Sequence, residues 1–316
     1  MTLTTRRLGC SDLFITPVGI GTAPLGSTRE WSIYWGAQDE QESIRTIRAA
    51  IDLGVNWIDT APFYGWGRAE EIVGNALQGR RDQAFIFTKC GTLRDERGHW
   101  YDNLQPESIR REVEVSLRRL RTDYLDLYQF HDPDPATPIE ESWAMMQTLI
   151  QEGKVRYGGL SNHPVTLIAR AHALAPVTSN QANYSLLHRD IEADVLPFAH
   201  HHGIGVLAWS PLESGYLTDN FDLESLDPAD FRRSRPFGQE PAASKLKQLR
   251  ATLTEIAHSH QKSLVDLAIA WVLRQPGLTG AIMGIRSEQE ASRMAGGVGW
   301  HLPVDAIEQA LQQWGT

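Results

Sequence analysis

The chain has 316 residues, 41% hydrophobic and 22% charged, so it can bury a sizeable core and does not have the composition of a disordered protein. Its 39 acidic residues outnumber its 30 basic ones, and the net charge of −9 argues against a nucleic-acid partner. The sequence has only two cysteines, and residues 1–12 show no signal-peptide pattern, which predicts a cytoplasmic protein. It also has no apolar run of about 18 residues, so we expect no membrane partner.

Eight short segments, most of them nearly continuous in apolar character, predict strands that are covered on both faces, as in a parallel sheet. They comprise residues 15–22, 55–60, 85–89, 124–131, 155–162, 178–184, 204–210 and 280–285. Longer amphipathic segments between them predict helices over residues 39–53, 106–120, 138–150 and 263–273. This alternation is typical of an α/β protein.

Eight strands fit a (β/α)8 TIM barrel, with a doubly wound sheet as the alternative. We found no linker in the sequence, so we expect a single barrel domain over residues 1–316. Turn residues at Gly9 and Ser11 predict an N-terminal β-hairpin within residues 6–16. Residues 29–38 and 219–241 would form long rim loops.

Several predicted strands end in polar residues, which apolar strands seldom do unless those residues are paired or functional. They are Asp59, Lys89, His131, the pair Ser161 and Asn162, and Ser210. If the strands are parallel, these side chains lie on the carboxyl-terminal rim, where barrel enzymes have their active sites. Taken one at a time, each is also compatible with a solvated strand end.

Tyr64 follows Asp59 by five residues and completes a set that can move a proton. A phenol is a poor acid at neutral pH, and a nearby Lys89 would favour the phenolate and lower the phenol pKa, with Asp59 holding the ammonium. His131 could orient a substrate oxygen. Such a set can protonate an alkoxide or deprotonate an alcohol.

Five motifs in register resemble the aldo-keto reductase family. They are residues 57–65 (WIDTAPFYG), 126–131 (DLYQFH), 158–163 (GGLSNH), 180–185 (NQANYS) and 209–212 (WSPL). The resemblance runs from about Arg7 to Trp300. It implies a (β/α)8 barrel that uses a nicotinamide cofactor to interconvert a carbonyl compound, such as an aldehyde, ketone or aldose, and an alcohol. In this resemblance Tyr64 is the general acid or base, Asp59 and Lys89 tune it, and His131 orients the carbonyl.

The resemblance also implies a set of cofactor-binding residues. Ser161, Asn162 and Gln181 would hold the nicotinamide carboxamide, and Trp209 would stack on its ring. The remaining candidates for the cofactor cleft are Gly21, Thr22, Asp59, Ser210, Leu212, Gly215, Leu217, Gly284, Arg286 and Glu290.

The adenosine end departs from the family pattern. Arg286 fits a 2′-phosphate, because guanidinium pairs well with phosphate. Glu290 and Met294 stand where relatives often carry Arg or Gln and Asn, and a carboxylate would repel phosphate and accept from a ribose hydroxyl. We therefore expect relaxed selectivity, with NADP(H) favoured over NAD(H).

Other features have less specific interpretations. Trp31, Tyr34, Trp35 and Trp66 could border a sugar or another small substrate, or simply pack loops. The three histidines at 200–202 precede Gly203 and suit a helix end better than a metal, so we expect no metal. Two further functions stay open: a non-catalytic, cofactor-sensing regulatory protein on the same fold, and a metal-dependent hydrolase using His131 and Asp132.

Overall fold

The computed structural model describes residues 3–315, in which eight parallel strands form a closed barrel. All strands in chain order are β1 (Arg6–Arg7), β2 (Phe14–Ile15), β3 (Val18–Gly21), β4 (Trp57–Asp59), β5 (Phe85–Cys90), β6 (Thr92–Arg94), β7 (Trp100–Asp102), β8 (Leu125–Phe130), β9 (Val155–Ser161), β10 (Ser179–Asn183), β11 (Gly205–Trp209) and β12 (Leu278–Gly284). The barrel order is β3-β4-β5-β8-β9-β10-β11-β12, and β12 pairs with β3 to close it. The predicted TIM barrel and its eight strands are confirmed, and the doubly wound alternative is wrong.

Helices cover the outside of the barrel. They are α1 (Glu40–Asp52), α2 (Arg68–Ala76), α3 (Pro106–Leu120), α4 (Ile139–Gln151), α5 (Val165–Leu174), α6 (Val195–His202), α7 (Ala242–Ser259), α8 (Leu264–Leu273), α9 (Glu288–Arg293) and α10 (Val304–Trp314). Local signals set several of the ends. Asp39 caps α1 by accepting from the Glu42 amide, and Ser263 forms a capping box with Asp266 at α8. Gly203 ends α6 in the left-handed conformation, directly after the three histidines.

The inside of the barrel has an apolar lower layer. Since side chains alternate along a strand, Trp57, Phe87, Leu127 and Leu207 point to the same side as the residues two positions later. The β1–β2 hairpin, which pairs Arg6 with Ile15 as predicted, contributes Leu8 and Leu13 to this buried cluster. These side chains fill the lower half of the barrel.

Two long loops and a β-hairpin lie at the carboxyl-terminal rim. The two predicted loops touch: the Phe231 amide donates to the Tyr34 carbonyl at 2.9 Å, and the Trp35 and Phe231 rings lie 4.7 Å apart. The β6–β7 hairpin was not predicted and exposes Trp100 and Tyr101. Among residues 3–315, no helix is long and apolar enough to cross a membrane.

Candidate active site

On three neighbouring strands, a polar upper layer lies two residues beyond the apolar layer. Asp59 follows Trp57 on β4, Lys89 follows Phe87 on β5, and Gln129 follows Leu127 on β8. Strand periodicity and parallel order therefore bring these side chains into the mouth of the barrel.

Lys89 is the centre of this group. Its ammonium donates to Asp59 Oδ1 at 2.5 Å, to the Thr60 carbonyl at 3.1 Å and to Tyr64 Oη at 3.0 Å. The lysine is fully buried and Asp59 is 2% exposed. The three residues thus form one connected hydrogen-bonded set in which the ammonium and the carboxylate are buried.

Two amides hold the second oxygen of Asp59. Gln181 donates to Asp59 Oδ2 at 2.7 Å, and Gln129 donates to the same atom at 3.4 Å. Gln129 belongs to the DLYQFH motif, and no role was predicted for it from the sequence. Its position two residues before His131, in the inward register of β8, was the signal available.

Burial is the largest single influence on the pKa of each catalytic candidate. It raises the pKa of Tyr64, and the neighbouring Lys89 acts in the opposite direction without cancelling it. Burial disfavours the Lys89 ammonium, but Asp59 and Tyr64 outweigh this and raise the pKa of Lys89. Burial and Lys89 hold the pKa of His131 well below its ordinary value. At neutral pH the set therefore consists of a neutral phenol, an ammonium and a neutral imidazole.

A strained turn presents Tyr64. The three residues after it have left-handed φ angles: Gly65 at 60°, Trp66 at 55° and Gly67 at 101°. A side chain at Gly65 would lie 1.9 Å from the carbonyl oxygen of Gly26, so this position requires glycine. The turn directs the chain from the rim into α2.

A buried carboxylate holds this turn against β5. Glu70, on α2, accepts from Thr88 Oγ1 at 2.8 Å and pairs with Arg119 at 3.3 Å. The Arg119 guanidinium packs so closely against Gly67 that a Cβ atom there would lie 2.3 Å from its Cζ atom. Thr88 precedes Lys89, so Glu70 connects the support of the tyrosine turn to the strand that carries the lysine. Neither Glu70 nor Arg119 was predicted from the sequence.

Aromatic rings line the space above Tyr64. The Trp31 ring lies 6.0 Å from the Tyr64 ring and 5.5 Å from Phe63. Phe63 also lies 5.7 Å from His131 and 5.3 Å from Trp66. Of the four aromatic candidates, Trp31, Trp35 and Trp66 pack into this cluster with Tyr64. Tyr34 instead packs under Arg29, and its hydroxyl lies 3.5 Å from Asp227.

The candidates for the nicotinamide lie on neighbouring strand ends. Ser161 is 1% exposed, and its hydroxyl has no hydrogen-bond partner among residues 3–315. Asn162 has a φ of 59°, accepts from Trp209 Nε1 at 2.8 Å and donates to Asp132 Oδ1 at 2.9 Å. A buried, unpartnered hydroxyl beside an oriented indole fits a planar amide-bearing ring.

Asp132 adds a half-buried carboxylate beside His131. Burial raises the pKa of Asp132 to about 6, against the hydrogen bond from Asn162. The charge of Asp132 also contributes to the raised pKa of Tyr64. Among residues 3–315, no group of three or more His, Cys, Asp or Glu side chains is arranged to hold a metal ion.

The segment after β11 is strained. Ser210, Glu213, Ser214 and Gly215 have φ between 48° and 93°, and Ser210 Oγ lies 3.4 Å from Ser214 Oγ. Glu213, a buried residue that was not predicted from the sequence, holds this segment by hydrogen bonds with Ser185 and His188. Leu212 lies at its centre, and Leu217 is fully buried at its end.

The remaining cofactor candidates lie at the ends of β3 and β12. Thr22 donates through its amide and its hydroxyl to the Asp59 carbonyl, each at 3.1 Å, and Gly21 ends β3 beside Gly284. Arg286 follows β12, and its guanidinium is occupied by the first rim loop, while Glu290 accepts from the Arg286 amide at 2.7 Å.

Residues 17–309 match the model of the aldo/keto reductase family. The NADH-specific methylglyoxal reductase of Escherichia coli is 34% identical over 90% of this chain and 90% of its own length. The glycerol dehydrogenase AKR11B4 of Gluconobacter oxydans has a TM-score of 0.87 and 36% identity over 99% of this chain and 95% of that one. An aldo/keto reductase of Klebsiella pneumoniae in complex with NADP and acetate has a TM-score of 0.75 and 27% identity over 99% of this chain and 96% of that one.

Proposed function

The chain belongs to the aldo/keto reductase family, and we propose that it interconverts a small carbonyl compound and its alcohol with Tyr64 as general acid and base. Members of this family carry out NAD(P)H-dependent carbonyl reduction, with NADP(H) or NAD(H) as the cofactor. The single observation that carries the proposal is the contact of 3.0 Å between the buried Lys89 ammonium and the Tyr64 hydroxyl.

In the direction of reduction, the neutral Tyr64 phenol donates its proton to the substrate oxygen as negative charge develops on it. The neutral His131 imidazole donates a second hydrogen bond to the same oxygen and so orients the carbonyl. Lys89 stabilises the phenolate that remains, and Asp59 keeps the ammonium in place. In the direction of oxidation, the same phenolate takes the proton of the alcohol.

The nicotinamide cofactor supplies or accepts the hydride when bound. Ser161, Asn162 and Gln181 would hold its carboxamide, with Trp209 against the ring. The strained segment with Ser210, Leu212, Gly215 and Leu217 would follow the pyrophosphate, opposite Gly21 and Thr22 on β3. Gly284, Arg286 and Glu290 would surround the adenosine.

The substrate is proposed to be a small polar carbonyl compound or sugar. Trp31 and Trp66 offer apolar faces for the C–H groups of such a molecule, and Asp132 offers an acceptor for a hydroxyl. Relatives that act on methylglyoxal and glycerol support this size class.

We propose further that residues 1–316 form a single domain. Residues 3–315 form one barrel with its rim loops, while Met1, Thr2 and Thr316 lie outside the described residues. Cys10 and Cys90 are both free thiols, which fits the reducing cytoplasm that we propose as its location.

The test is a comparison of Tyr64→Phe with Tyr157→Phe. Tyr157 also carries a hydrogen-bonded hydroxyl, 3.0 Å from Asp12, but it lies outside the site. We expect Tyr64→Phe to lower kcat by about 10²- to 10⁴-fold with little change in the Kd of the cofactor, and Tyr157→Phe to retain kcat. Near-normal turnover by Tyr64→Phe would refute the role of Tyr64. A wild-type protein that binds cofactor but turns over no carbonyl or alcohol would favour the regulatory alternative.

A further inference from the structure

The Arg286 guanidinium is held by a short segment of the first rim loop, residues 35–38, which we call the clamp segment. Arg286 Nε donates to Gln38 Oε1 at 2.9 Å, Nη1 to the Trp35 carbonyl at 2.6 Å, and Nη2 to the Ala37 carbonyl at 2.6 Å. Gln38 returns a hydrogen bond to the Arg286 carbonyl at 3.0 Å. Gly36, with a φ of 87°, brings the segment against the guanidinium.

These contacts use three of the five N–H donors of the arginine, one on each nitrogen. The strongest arginine–phosphate contacts use two parallel N–H groups on one edge of the guanidinium. Gln38 occupies Nε, which is half of one such edge. A phosphate that approaches this edge must displace Gln38.

The charges around Arg286 do not strengthen its attraction for a phosphate. Burial and Arg232 both lower the pKa of Arg286, and Glu290, Asp230 and Glu42 act in the opposite direction. Arg286 and Arg232 thus share their surroundings with three carboxylates. An added anion gains less here than beside a free arginine.

We propose that the clamp segment competes with the adenosine 2′-phosphate of NADP(H) for Arg286, so that Gln38 is a specificity-determining residue for the cofactor. This inference rests on the proposed function, which brings a dinucleotide into the cleft. NAD(H) has no 2′-phosphate and leaves the clamp segment in place. NADP(H) gains a two-point phosphate contact along the Nε edge only by releasing Gln38.

The clamp segment contacts other parts of the rim, so its release would also loosen the packing there. The Trp35 amide donates to Ser27 Oγ at 2.9 Å, and the Trp35 ring lies 4.7 Å from Phe231 in the second rim loop. Trp31, in the same loop as the segment, contacts Tyr64. Bound NADP(H) is therefore distinguished from bound NAD(H) by looser packing of residues 29–38.

Gln38→Ala tests the proposal, with Gln83→Ala as the matched control. Gln83 accepts from Arg80 Nε at 2.8 Å in an exposed contact of the same chemistry. We expect Gln38→Ala to lower the Kd for NADP+ about fivefold, the worth of one hydrogen bond, without changing the Kd for NAD+. Gln83→Ala should change neither constant. Both constants are measured by quenching of tryptophan fluorescence.

Hydrogen exchange of the wild-type protein gives a second readout that needs no variant. Saturating NADP+ should raise exchange at residues 35–38, whereas saturating NAD+ should not. An unchanged ratio of the two Kd values in Gln38→Ala, or equal protection of residues 35–38 by both cofactors, would overturn the proposal. Failure of the wild-type protein to bind either cofactor would instead refute the proposed function itself, and the competition with it.

Discussion

Lys89 Nζ lies 3.0 Å from the Tyr64 hydroxyl oxygen, and the lysine side chain is completely buried. Burial raises the pKa of Tyr64, while the lysine charge alone lowers it, so Lys89 limits how far the phenol pKa rises. The Lys89 charge favours the phenolate, as expected from the sequence. Burial of the phenol has the larger effect, so the pKa of Tyr64 is raised overall.

Lys89→Met should therefore raise the pKa of Tyr64 further. Alcohol oxidation needs the phenolate, so the pH at which its rate begins to rise should move upward, and kcat at neutral pH should fall about 10²-fold or more. The measurement is kcat against pH in the oxidative direction. Lys154→Met, which removes a surface lysine 2.5 Å from Glu114, is the control and should leave the profile in place. A profile that only drops in height would assign Lys89 a structural role.

Most of the barrel was predictable because its strands are buried on both faces and bounded by clear polar residues. The strands with Asp59 and Lys89 each combine an apolar run with a polar end, and strand periodicity suffices to place those ends together. The helices with an N-cap signal, such as α1 after Asp39 and α8 after Ser263, were predicted to within about a residue at each end.

The supports of the site were not predictable in the same way. Glu70 and Glu213 are charged residues that the chain buries only because partners distant in sequence, Arg119 and Ser185, meet them in the fold. The engagement of Arg286 by the clamp segment joins positions about 250 residues apart. No local pattern in the sequence predicts contacts between residues so far apart.

His131 should remain neutral across the physiological range, because burial and the nearby Lys89 hold its pKa well below 6.5. His188 gives an internal contrast, since its hydrogen bond to Glu213 raises its pKa above 6.5. In an NMR titration between about pH 5.5 and 8, the His188 ring resonances should shift and those of His131 should stay constant. A His131 titration near pH 6.5 would mean that its proton, and not only its hydrogen bond, enters the pH profile.

Asp126 anchors the lower end of the barrel and gives a prediction about stability alone. Its carboxylate is 1% exposed and accepts from Arg81 and Arg156, each at 2.7 Å, and from the Ile86 amide at 2.9 Å. Asp126→Ala leaves two guanidinium groups without that partner and should lower the free energy of unfolding by about 3 kcal/mol.

Asp12→Ala is the matched control, because Asp12 also pairs with Arg156, at 2.8 Å, but is 68% exposed. We expect its effect to stay below about 1 kcal/mol. Urea unfolding at one pH measures both variants. Equal effects would show that burial does not set the strength of this pair. The kcat of the folded protein should be unchanged in both, since neither carboxylate contacts the site.

Glu112 should make the protein less stable as the pH rises from about 4.5 towards 7. Burial raises the pKa of this carboxyl to about 7, although the Gly91 amide and Ser108 donate to it. A folded-state pKa above the unfolded value of 4.5 means that the folded chain binds the extra proton. The resulting stability is present at low pH and is lost between about pH 4.5 and 7, up to about 3 kcal/mol in total.

Glu112→Gln mimics the protonated form. It should match the wild type at pH 5 and have the higher Tm at pH 8, while the exposed Glu107→Gln on the same helix should follow the wild type at both. If wild type and Glu112→Gln lose stability in parallel from pH 5 to pH 8, the Glu112 carboxyl does not titrate in this range.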